Sequence, residues 1–494
     1  MVINIILAIL VLSIIIIIHE FGHFIVAKAN GITVVEFSLG FGPKLIHFKK
    51  GETEYSLKLL PFGGACIMLG EDFLEADDDE QEDPTEGNNT GKSGSELDND
   101  FCNGKTAEDN GFGNASRYSS DNTSAGSYMS EKKKQEALEA GYDMSKSFAN
   151  KSAWARIAVI AAGPIFNFIL AFVCSVVIIG SIGYDPCMVD VVYDNSPAVS
   201  AGLQEGDKII KVNNQKITFY RDYSFYRVYH ADDTMNITYE RDGQKYTTTL
   251  TPEYVKQQKY QMGVTLEQNG TIAGVSDGTP AQKAGIKKGD IITAVNGVAV
   301  DGSTKIIELV GQCNGESVDI TINRDGNTMQ LNVTPDSVEN EYYYTGFASY
   351  GARQKVSPIS VIGYAFKEVG YSVNTVVKSL GMMFTGQVGI NDLSGPVGTV
   401  SAMSNIVEES KADGTFYVIL NLLNLAGLIS ANLGVMNLLP IPALDGGRLV
   451  FLILEVLRGK PVKKEHEGMV HFVGMIFLFV LMIYVMFKDI RGLF

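Results

Sequence analysis

The sequence is poor in the features that mark disulfide-rich, zinc-cluster and nucleic-acid-binding proteins. Only five cysteines occur in 494 residues and none forms a Cys-x-x-Cys pair, which argues against a disulfide framework or a structural zinc cluster. No basic stripe is present, so nucleic acid is not an expected partner. Much of the net charge of −16 comes from residues 71–130, which hold 16 Asp/Glu against three Lys/Arg. The acidity therefore belongs to one segment.

What the sequence does contain is four long apolar segments. Each approaches the roughly 20 residues that a helix needs to cross a bilayer. The first has no basic n-region and no cleavage site, which disfavours a removed signal peptide. The expected fold class is a polytopic α-helical membrane protein with four transmembrane helices, a β region and two mixed α/β domains. In chain order, we expect transmembrane helix 1 (1–28), the β region (29–70), a disordered acidic insert (71–130), a cytoplasmic connector (131–153), transmembrane helix 2 (154–183), the α/β domains (184–256 and 257–336), an amphipathic connector (337–412), transmembrane helix 3 (413–448), a cytoplasmic loop (449–467) and transmembrane helix 4 (468–488).

Basic residues that flank the apolar segments predict the topology. Lysine and arginine cluster between the first and second segments, from Lys28 to Arg156, and between the third and fourth, from Arg448 to Lys464. Such flanks belong in the cytoplasm. The chain is therefore expected to cross the cell membrane several times, with both termini and the two α/β domains outside the cytoplasm.

An internal repeat defines the two α/β domains. The signature Ser/Thr-Pro-Ala, Ala-Gly, Gly-Asp and Val-Asn starts at Ser196 and recurs from Thr279, with every element displaced by the same number of residues. Alternating strand patterns follow each copy. The connector after the second copy has a helical amphipathic pattern, which suits either an interfacial helix or a soluble linker.

The sharpest chemical signal is a His-Glu-x-x-His motif formed by His19, Glu20 and His23 in the first apolar segment. On a helix the two histidines are one turn apart on one face, so both imidazoles can bind one metal ion. Glu20 suits a general base that acts on water. Polar groups in a hydrophobic span are costly without partners. A purely structural role, in which these groups only stabilise packing, is the less favoured alternative.

A third metal ligand has to come from another segment, because catalytic zinc usually takes three protein ligands. Asp445 lies at the end of the third apolar segment, which runs in the same direction as the first, so both ends reach the same inner face. His466 and His471, near the inner end of the fourth segment, remain alternatives. Pro440 and Pro442 interrupt the helix before Asp445; they either free backbone groups to bind a substrate strand or simply end the helix.

The motif, followed by Asn-x-x-Pro-x-Pro-x-Leu-Asp-Gly at 437–446, resembles the site-2 protease family of intramembrane zinc metalloproteases. The two α/β domains resemble the PDZ pair of its bacterial sigma-E-regulating branch. The likeness covers nearly the whole chain except the acidic insert. It implies that His19, His23 and Asp445 bind Zn²⁺ and that Glu20 is the catalytic base.

The resemblance also implies roles around this centre. Asn167, in the Gly-Pro-x-x-Asn element of the second helix, would pack near the site. Asn437 would anchor substrate backbone or stabilise an oxyanion, with Pro440 and Pro442 in the same substrate-binding set. The β region would be membrane-associated and guide substrate, and the PDZ-like domains would bind extended peptides by strand addition or exclude substrates with bulky outside domains.

The predicted function is cleavage of the transmembrane segments of single-span substrates by regulated intramembrane proteolysis. Anti-sigma factor-like proteins and signal-peptide remnants are the expected substrate classes. One alternative is a non-catalytic membrane scaffold that binds peptides through its PDZ-like domains. A second is a metal or ion transporter, although transporters usually show repeated helix sets and more than four crossings.

Overall fold

The computed structural model describes residues 2–70, 138–139, 141–267, 269–387, 389, 395–411 and 414–491. The predicted acidic insert (71–130) lies outside the described residues, as do residues 131–137 and 140 of the connector that follows it. The chain forms two compact units. The first comprises Met1–Ser181 with Ser357–Phe494, and the second comprises Ile182–Val356.

Helices dominate the first unit and strands the second. In chain order the helices are α1 (Val2–Ala29), α2 (Ala153–Ile182), α3 (Pro197–Ser200), α4 (Tyr220–Tyr229), α5 (Pro280–Lys283), α6 (Ser303–Gly311), α7 (Pro358–Phe384), α8 (Pro396–Ser410), α9 (Thr415–Leu438), α10 (Asp445–Arg458) and α11 (Lys464–Arg491). The strands are β1 (Val34–Lys50), β2 (Thr53–Met68), β3 (Val191–Val192), β4 (Lys208–Val212), β5 (Gln215–Lys216), β6 (Met235–Arg241), β7 (Gln244–Leu250), β8 (Glu253–Gln261), β9 (Val264–Leu266), β10 (Ile272–Val275), β11 (Ile291–Val295), β12 (Val298–Ala299), β13 (Val318–Arg324), β14 (Asn327–Val333), β15 (Asp336–Tyr344) and β16 (Phe347–Ala348).

Within the described residues, four helices are long and apolar enough to cross a membrane: α1, α2, α9 and α11. This confirms the prediction of four such segments. Helix α1 contains no proline and ends at Ala29. Gly31, two residues later, has a φ of 64°, the left-handed conformation typical of the chain just after a helix C-terminus. The Ile32 N–H bonds to the Ala27 carbonyl across this turn, which satisfies a terminal acceptor as the chain leaves the helix.

The structure corrects the predicted ends of the third and fourth spanning helices. Helix α9 stops at Leu438, and Asp445 is the first residue of the separate helix α10 rather than part of the C-terminal end of a third span that runs to residue 448. Two prolines in the intervening loop cause the break, because proline lacks an N–H and clashes with a preceding carbonyl in a helix. The expected cytoplasmic loop 449–467 is largely helical, since α10 continues to Arg458 and α11 begins at Lys464.

The predicted β region forms from β1 and β2, joined by a tight turn at Gly51 with φ 66°. Both strands bend, so that Ser38 pairs with Ser56 and also with Ala65. Residues 36–39, near the start of β1, therefore lie between two runs of β2. This doubling brings the end of β2 back toward α1.

The second unit contains two sheets with the same strand order, β5-β4-β6-β7 and β12-β11-β13-β14. Each sheet encloses its own hydrophobic core. The same buried ion pair recurs in both copies. In the first copy, Arg241 donates hydrogen bonds to Asp207 and to the Gly202 carbonyl. In the second copy, the corresponding Arg324 donates to Asp290 and to the Gly285 carbonyl, which are the equivalent partners. The sequence repeat thus produces a structural repeat.

The division of these domains at 184–256 and 257–336 is wrong in one respect. Strand β16, which follows the second domain, pairs with β3 of the first, and Phe347 packs in the first core. Strands β8 and β15 pair over nine residues and join the two domains. The second domain is therefore inserted into the first. A two-residue strand has too few residues for its sequence to indicate a partner about 150 positions away.

Candidate metal centre

Helix α1 presents His19 and His23 on one face, as the motif spacing predicts. Both side chains are buried, and their Nε2 atoms are 3.3 Å apart. The rings meet edge to face, with centroids 4.9 Å apart. The helix therefore aims two nitrogen ligands at one point.

Asp445 reaches the same point from the start of α10. Its Oδ2 atom lies 3.1 Å from His19 Nε2 and 3.4 Å from His23 Nε2. In the part of the chain that the structure describes, these three side chains lie close enough together to bind one metal ion. Their ligand atoms are all within 4.8 Å of one another. The structure thus brings together the three predicted zinc ligands.

The second nitrogen of each imidazole bonds to helix α2. His23 Nδ1 lies 2.9 Å from the Val159 carbonyl, which can only accept, so Nδ1 carries the hydrogen and Nε2 keeps its lone pair. His19 Nδ1 lies 3.1 Å from the Asn167 amide nitrogen, while Asn167 Oδ1 has no partner among the described residues. Rotating the Asn167 side-chain amide by 180° leaves its shape unchanged and exchanges its oxygen and nitrogen. Asn167 Oδ1 can then accept a hydrogen bond from His19 Nδ1–H. Both Nε2 atoms then face Asp445.

The three ligand atoms fit a zinc ion. Metal bonds of about 2.0–2.1 Å give a tetrahedron whose edges measure about 3.3–3.4 Å, and the observed separations run from 3.1 to 3.4 Å. Asp445 Oδ2 receives no hydrogen bond from a described residue. Three lone pairs therefore converge where a cation would relieve their repulsion. Three protein ligands leave a fourth position for water, as in catalytic zinc sites.

Glycine in α2 makes room for the imidazoles. A Cβ atom at Gly163 would lie 2.3 Å from His23 Nε2 and 2.7 Å from His19 Cε1. Helix α1 approaches α2 equally closely, since a Cβ atom at Gly22 would lie 2.5 Å from the Ala162 carbonyl oxygen. Sequence reasoning missed this role of Gly163. The signal was a glycine next to Pro164 in an otherwise apolar helix.

Glu20 and Asn437 are the two polar residues predicted to act beside the ligands. A Cβ atom at Gly64 would lie 2.9 Å from Glu20 Cγ, so the bent end of β2 runs directly beside Glu20. Asn437, in the last turn of α9, is buried with its amide nitrogen 3.5 Å from His19 Nε2. Asn437 therefore lies at the same centre as the ligands, while the Glu20 side chain lies between that centre's helix and the bent end of β2.

The remaining predicted site residues lie in or against the loop between α9 and α10. Pro440 is exposed, and Pro442 packs against α11 at Gly474. Of the two alternative third ligands, His466 is exposed, and His471 Nδ1 accepts a hydrogen bond from the Ala443 N–H at 2.9 Å. Asp445, rather than either histidine, completes the cluster.

A family profile and two full-length relatives all indicate the same class of zinc metalloprotease. The profile of Peptidase family M50 matches residues 7–481. Zinc metalloprotease RasP of Bacillus licheniformis is 30% identical, with 98% of each chain covered. Regulator of sigma-W protease RasP of Bacillus subtilis is 30% identical, with 96% of this chain and 95% of the relative covered.

Three solved structures that are similar to this chain each cover 27% of it or less. The PDZ domain of HtrA3 is 21% identical and covers 17% of this chain and 93% of its own, at a TM-score of 0.16. The family profile spans the histidine pair, the β region, the repeat and Asp445. The predicted relationship to the site-2 proteases is confirmed, and the chain belongs to Peptidase family M50.

Proposed function

We propose that this member of Peptidase family M50 is an intramembrane zinc protease in which His19, His23 and Asp445 hold the metal and Glu20 is the general base. One observation carries the assignment. Two imidazoles from α1 and one carboxylate from α10 place their ligand atoms at the separations expected for three corners of a tetrahedron around zinc. The histidines belong to a helix that is apolar enough to span a membrane. Cleavage inside the bilayer follows from that position.

The side chains around the ligands supply the remaining chemistry. Zinc, when bound, acts as a Lewis acid that polarises a carbonyl and makes water easier to deprotonate. Glu20 takes the proton of the attacking water and passes it to the leaving nitrogen when the peptide bond breaks. Asn437 donates an amide hydrogen bond to the oxyanion that develops on the scissile carbonyl. Asn167 and the Val159 carbonyl hold the imidazoles in the tautomer that binds metal.

The substrate is a membrane-spanning segment of another protein, presented as an extended strand. A helical peptide bond is shielded by its own hydrogen bonds, so the segment has to unwind before water reaches it. The bent end of β2 lies against Glu20 at Gly64, which suits alignment of an extended chain by strand pairing. The Pro440–Pro442 loop, next to Asp445, lies beside the same centre. The relative named regulator of sigma-W protease RasP supports regulated intramembrane proteolysis of a single-span regulatory protein.

The α/β domains and both chain ends are proposed to lie outside the cytoplasm, with the metal centre near the cytoplasmic face. The basic residues between the spans support this orientation. The repeated domains resemble PDZ domains in sequence, and we assign them to binding extended peptides or to excluding bulky substrates. Strand addition at a sheet edge is the physical basis for the first role.

The test is the Glu20→Gln variant of the full chain in detergent micelles, with a single-span model substrate. We expect about one bound zinc per chain in the parent and the variant, and at least a hundredfold slower cleavage by the variant. Glu409→Gln, an exposed position on α8, is the matched control and should cleave like the parent. Cleavage by Glu20→Gln at the parental rate would show that another group is the base. A parent without zinc would favour the scaffold alternative.

A further inference from the structure

The loop before Asp445 contains a strained turn. The Leu444 N–H bonds to the Ile441 carbonyl at 3.2 Å, which closes a turn with Pro442 and Ala443 at its centre. Ala443 has a φ of 73°, a left-handed conformation that is costly for a residue with a Cβ atom. Proline followed by a residue of positive φ is the pattern of a type II turn, where glycine usually takes the second place. Alanine needs outside support to stay in this conformation.

Helix α11 provides that support from one face. His471, only 4% exposed, accepts the Ala443 N–H through Nδ1 at 2.9 Å. Gly474 is three residues further along the same face. A Cβ atom at Gly474 would lie 2.3 Å from the Pro442 Cβ atom. The turn can therefore pack closely against α11 only because residue 474 has no side chain.

The Pro442–Ala443 turn lies directly before the start of α10. Asp445 follows Ala443 by two residues. The next two residues are glycines that fold back on the loop: a Cβ atom at Gly446 would lie 2.0 Å from the Leu439 carbonyl oxygen, and one at Gly447 would lie 2.6 Å from the Ile441 carbonyl oxygen. The first turn of α10 is therefore packed directly on the backbone of the loop. A change in the turn would move the Asp445 carboxylate relative to the histidines.

We propose that His471 is a positioning residue for the metal centre: together with Gly474 it holds the Pro442–Ala443 turn in the conformation that brings Asp445 to His19 and His23. His471 acts through the backbone and does not bind the metal. The inference rests on the proposed zinc site, because it explains how one of its ligands is placed.

The test measures zinc affinity by competition with a chelator, and the visible spectrum of Co²⁺, in the full chain in micelles. His471→Leu removes the acceptor, and His471→Asn keeps an oxygen acceptor close to the position of Nδ1. We expect His471→Leu to weaken zinc binding about tenfold or more, as loss of outer support does at other metal sites, and to shift the Co²⁺ bands. His471→Asn should stay within about threefold of the parent. His466→Leu, at the exposed start of the same helix, is the matched control and should bind zinc like the parent.

A second pair of variants separates turn support from general packing. Glycine adopts a φ of 73° without help, so Ala443→Gly introduced into His471→Leu should restore most of the zinc affinity. Gly474→Ala should weaken zinc binding as His471→Leu does. Equal losses in His471→Asn and His471→Leu, or no recovery with Ala443→Gly, would overturn the proposal. Should His471→Leu fail to fold, a parental affinity in Gly474→Ala or a loss in His471→Asn would overturn it just as well. A parent that binds no zinc would instead refute the proposed function.

Discussion

Asn167 shows how much of the metal centre depends on a residue that does not touch the metal. Its side chain is fully buried in α2, with its amide against His19 Nδ1. Helix α2 also supplies the Val159 carbonyl to His23. Each imidazole is thereby fixed in rotation and in tautomer, which lowers the cost of ordering the ligands when the metal binds. The helix next to the motif is thus part of the site.

The Asn167→Leu variant should weaken zinc binding by about 10–100-fold, because His19 loses the acceptor that keeps its hydrogen on Nδ1. Asn167→Asp is the matched variant, since its carboxylate keeps an oxygen acceptor at the place of the amide oxygen. It should bind zinc at least ten times more tightly than Asn167→Leu. Chelator competition with the purified full chain measures both. Equal zinc affinities for the two variants would contradict an acceptor role for Asn167.

At the scale of single residues, the sequence predicted the ligands better than their surroundings. The motif spacing placed His19 and His23 on one helix face, and the structure shows them there. The glycine next to Pro164 marked an unusual position in α2, but the role of Gly163 depends on the distance between two helices, which the sequence does not give. Likewise, His471 was considered as a ligand and instead accepts a backbone hydrogen bond. Both roles are set by neighbours that are remote in sequence.

At the scale of elements, the break between α9 and α10 is the main difference from the sequence-based expectation. The hydropathy pattern continues through 439–444, so a single long helix was predicted. The prolines indicated a break but not its consequence, which is that Asp445 starts a new helix. Two helices running in the same direction were expected to bring Asp445 near the histidines. The carboxylate does reach them, but from the start of a helix rather than from the end of one.

The repeated ion pair of the second unit is an element-scale feature with a pH dependence. Arg324 in β13 donates to Asp290 at 2.7 and 2.8 Å, and Asp290 is almost fully buried. The guanidinium holds the pKa of Asp290 below its usual value, against the opposing effect of burial. A carboxyl group with a lowered pKa in the folded state stabilises the domain above its unfolded pKa of about 3.9. That contribution is lost as the pH falls through the lowered folded value.

We therefore expect Arg324→Met to lower the free energy of unfolding of the second α/β domain by about 1–3 kcal/mol at pH 7, because it leaves a buried carboxylate without its partner. The difference from the parent should shrink as the pH is lowered below about 3.9. Hydrogen exchange of β13 and β14 in the full chain measures it, with β6 and β7 of the first domain as the internal control. A difference that stays constant down to pH 2.5 would contradict the ion-pair explanation.

At the scale of the whole molecule, the distribution of charge predicts an orientation in the membrane. The described residues contain four candidate spans. If each span crosses once, we expect the segments before and after α9 to face opposite sides of the membrane. Lys288 in the second α/β domain and Lys460 after α10 are both exposed. They provide reporters for the two sides.

In a chain whose native cysteines are replaced, Lys288→Cys should react with a membrane-impermeant maleimide in intact cells, and Lys460→Cys should react only after lysis. The reason is the excess of basic residues around the predicted inner loops, which are retained in the cytoplasm. Labelling of both variants in lysed cells controls for accessibility. The reverse pattern in intact cells would place the α/β domains in the cytoplasm.

The nesting of the α/β domains is also a property of the whole chain. The sequence repeat predicts two similar domains, and their four-stranded sheets have the same strand order. Which domain receives the last short strand was not predictable, because β16 is two residues long and its partner β3 lies before the first sheet. Local pattern defines such a strand poorly, and only the packing of Phe347 in the first core selects its partner.

The sequence by itself determined the number of apolar helices, the metal-binding motif, the family and the internal repeat, because each depends on spacing along the chain. Periodicity, hydropathy and motif spacing are local properties that a linear pattern records. The tertiary structure alone decided how Asp445 meets the histidines, which groups orient the imidazoles, and which face of α11 holds the turn before α10. Those outcomes depend on distances between segments that are far apart in sequence, and close packing of whole helices sets those distances.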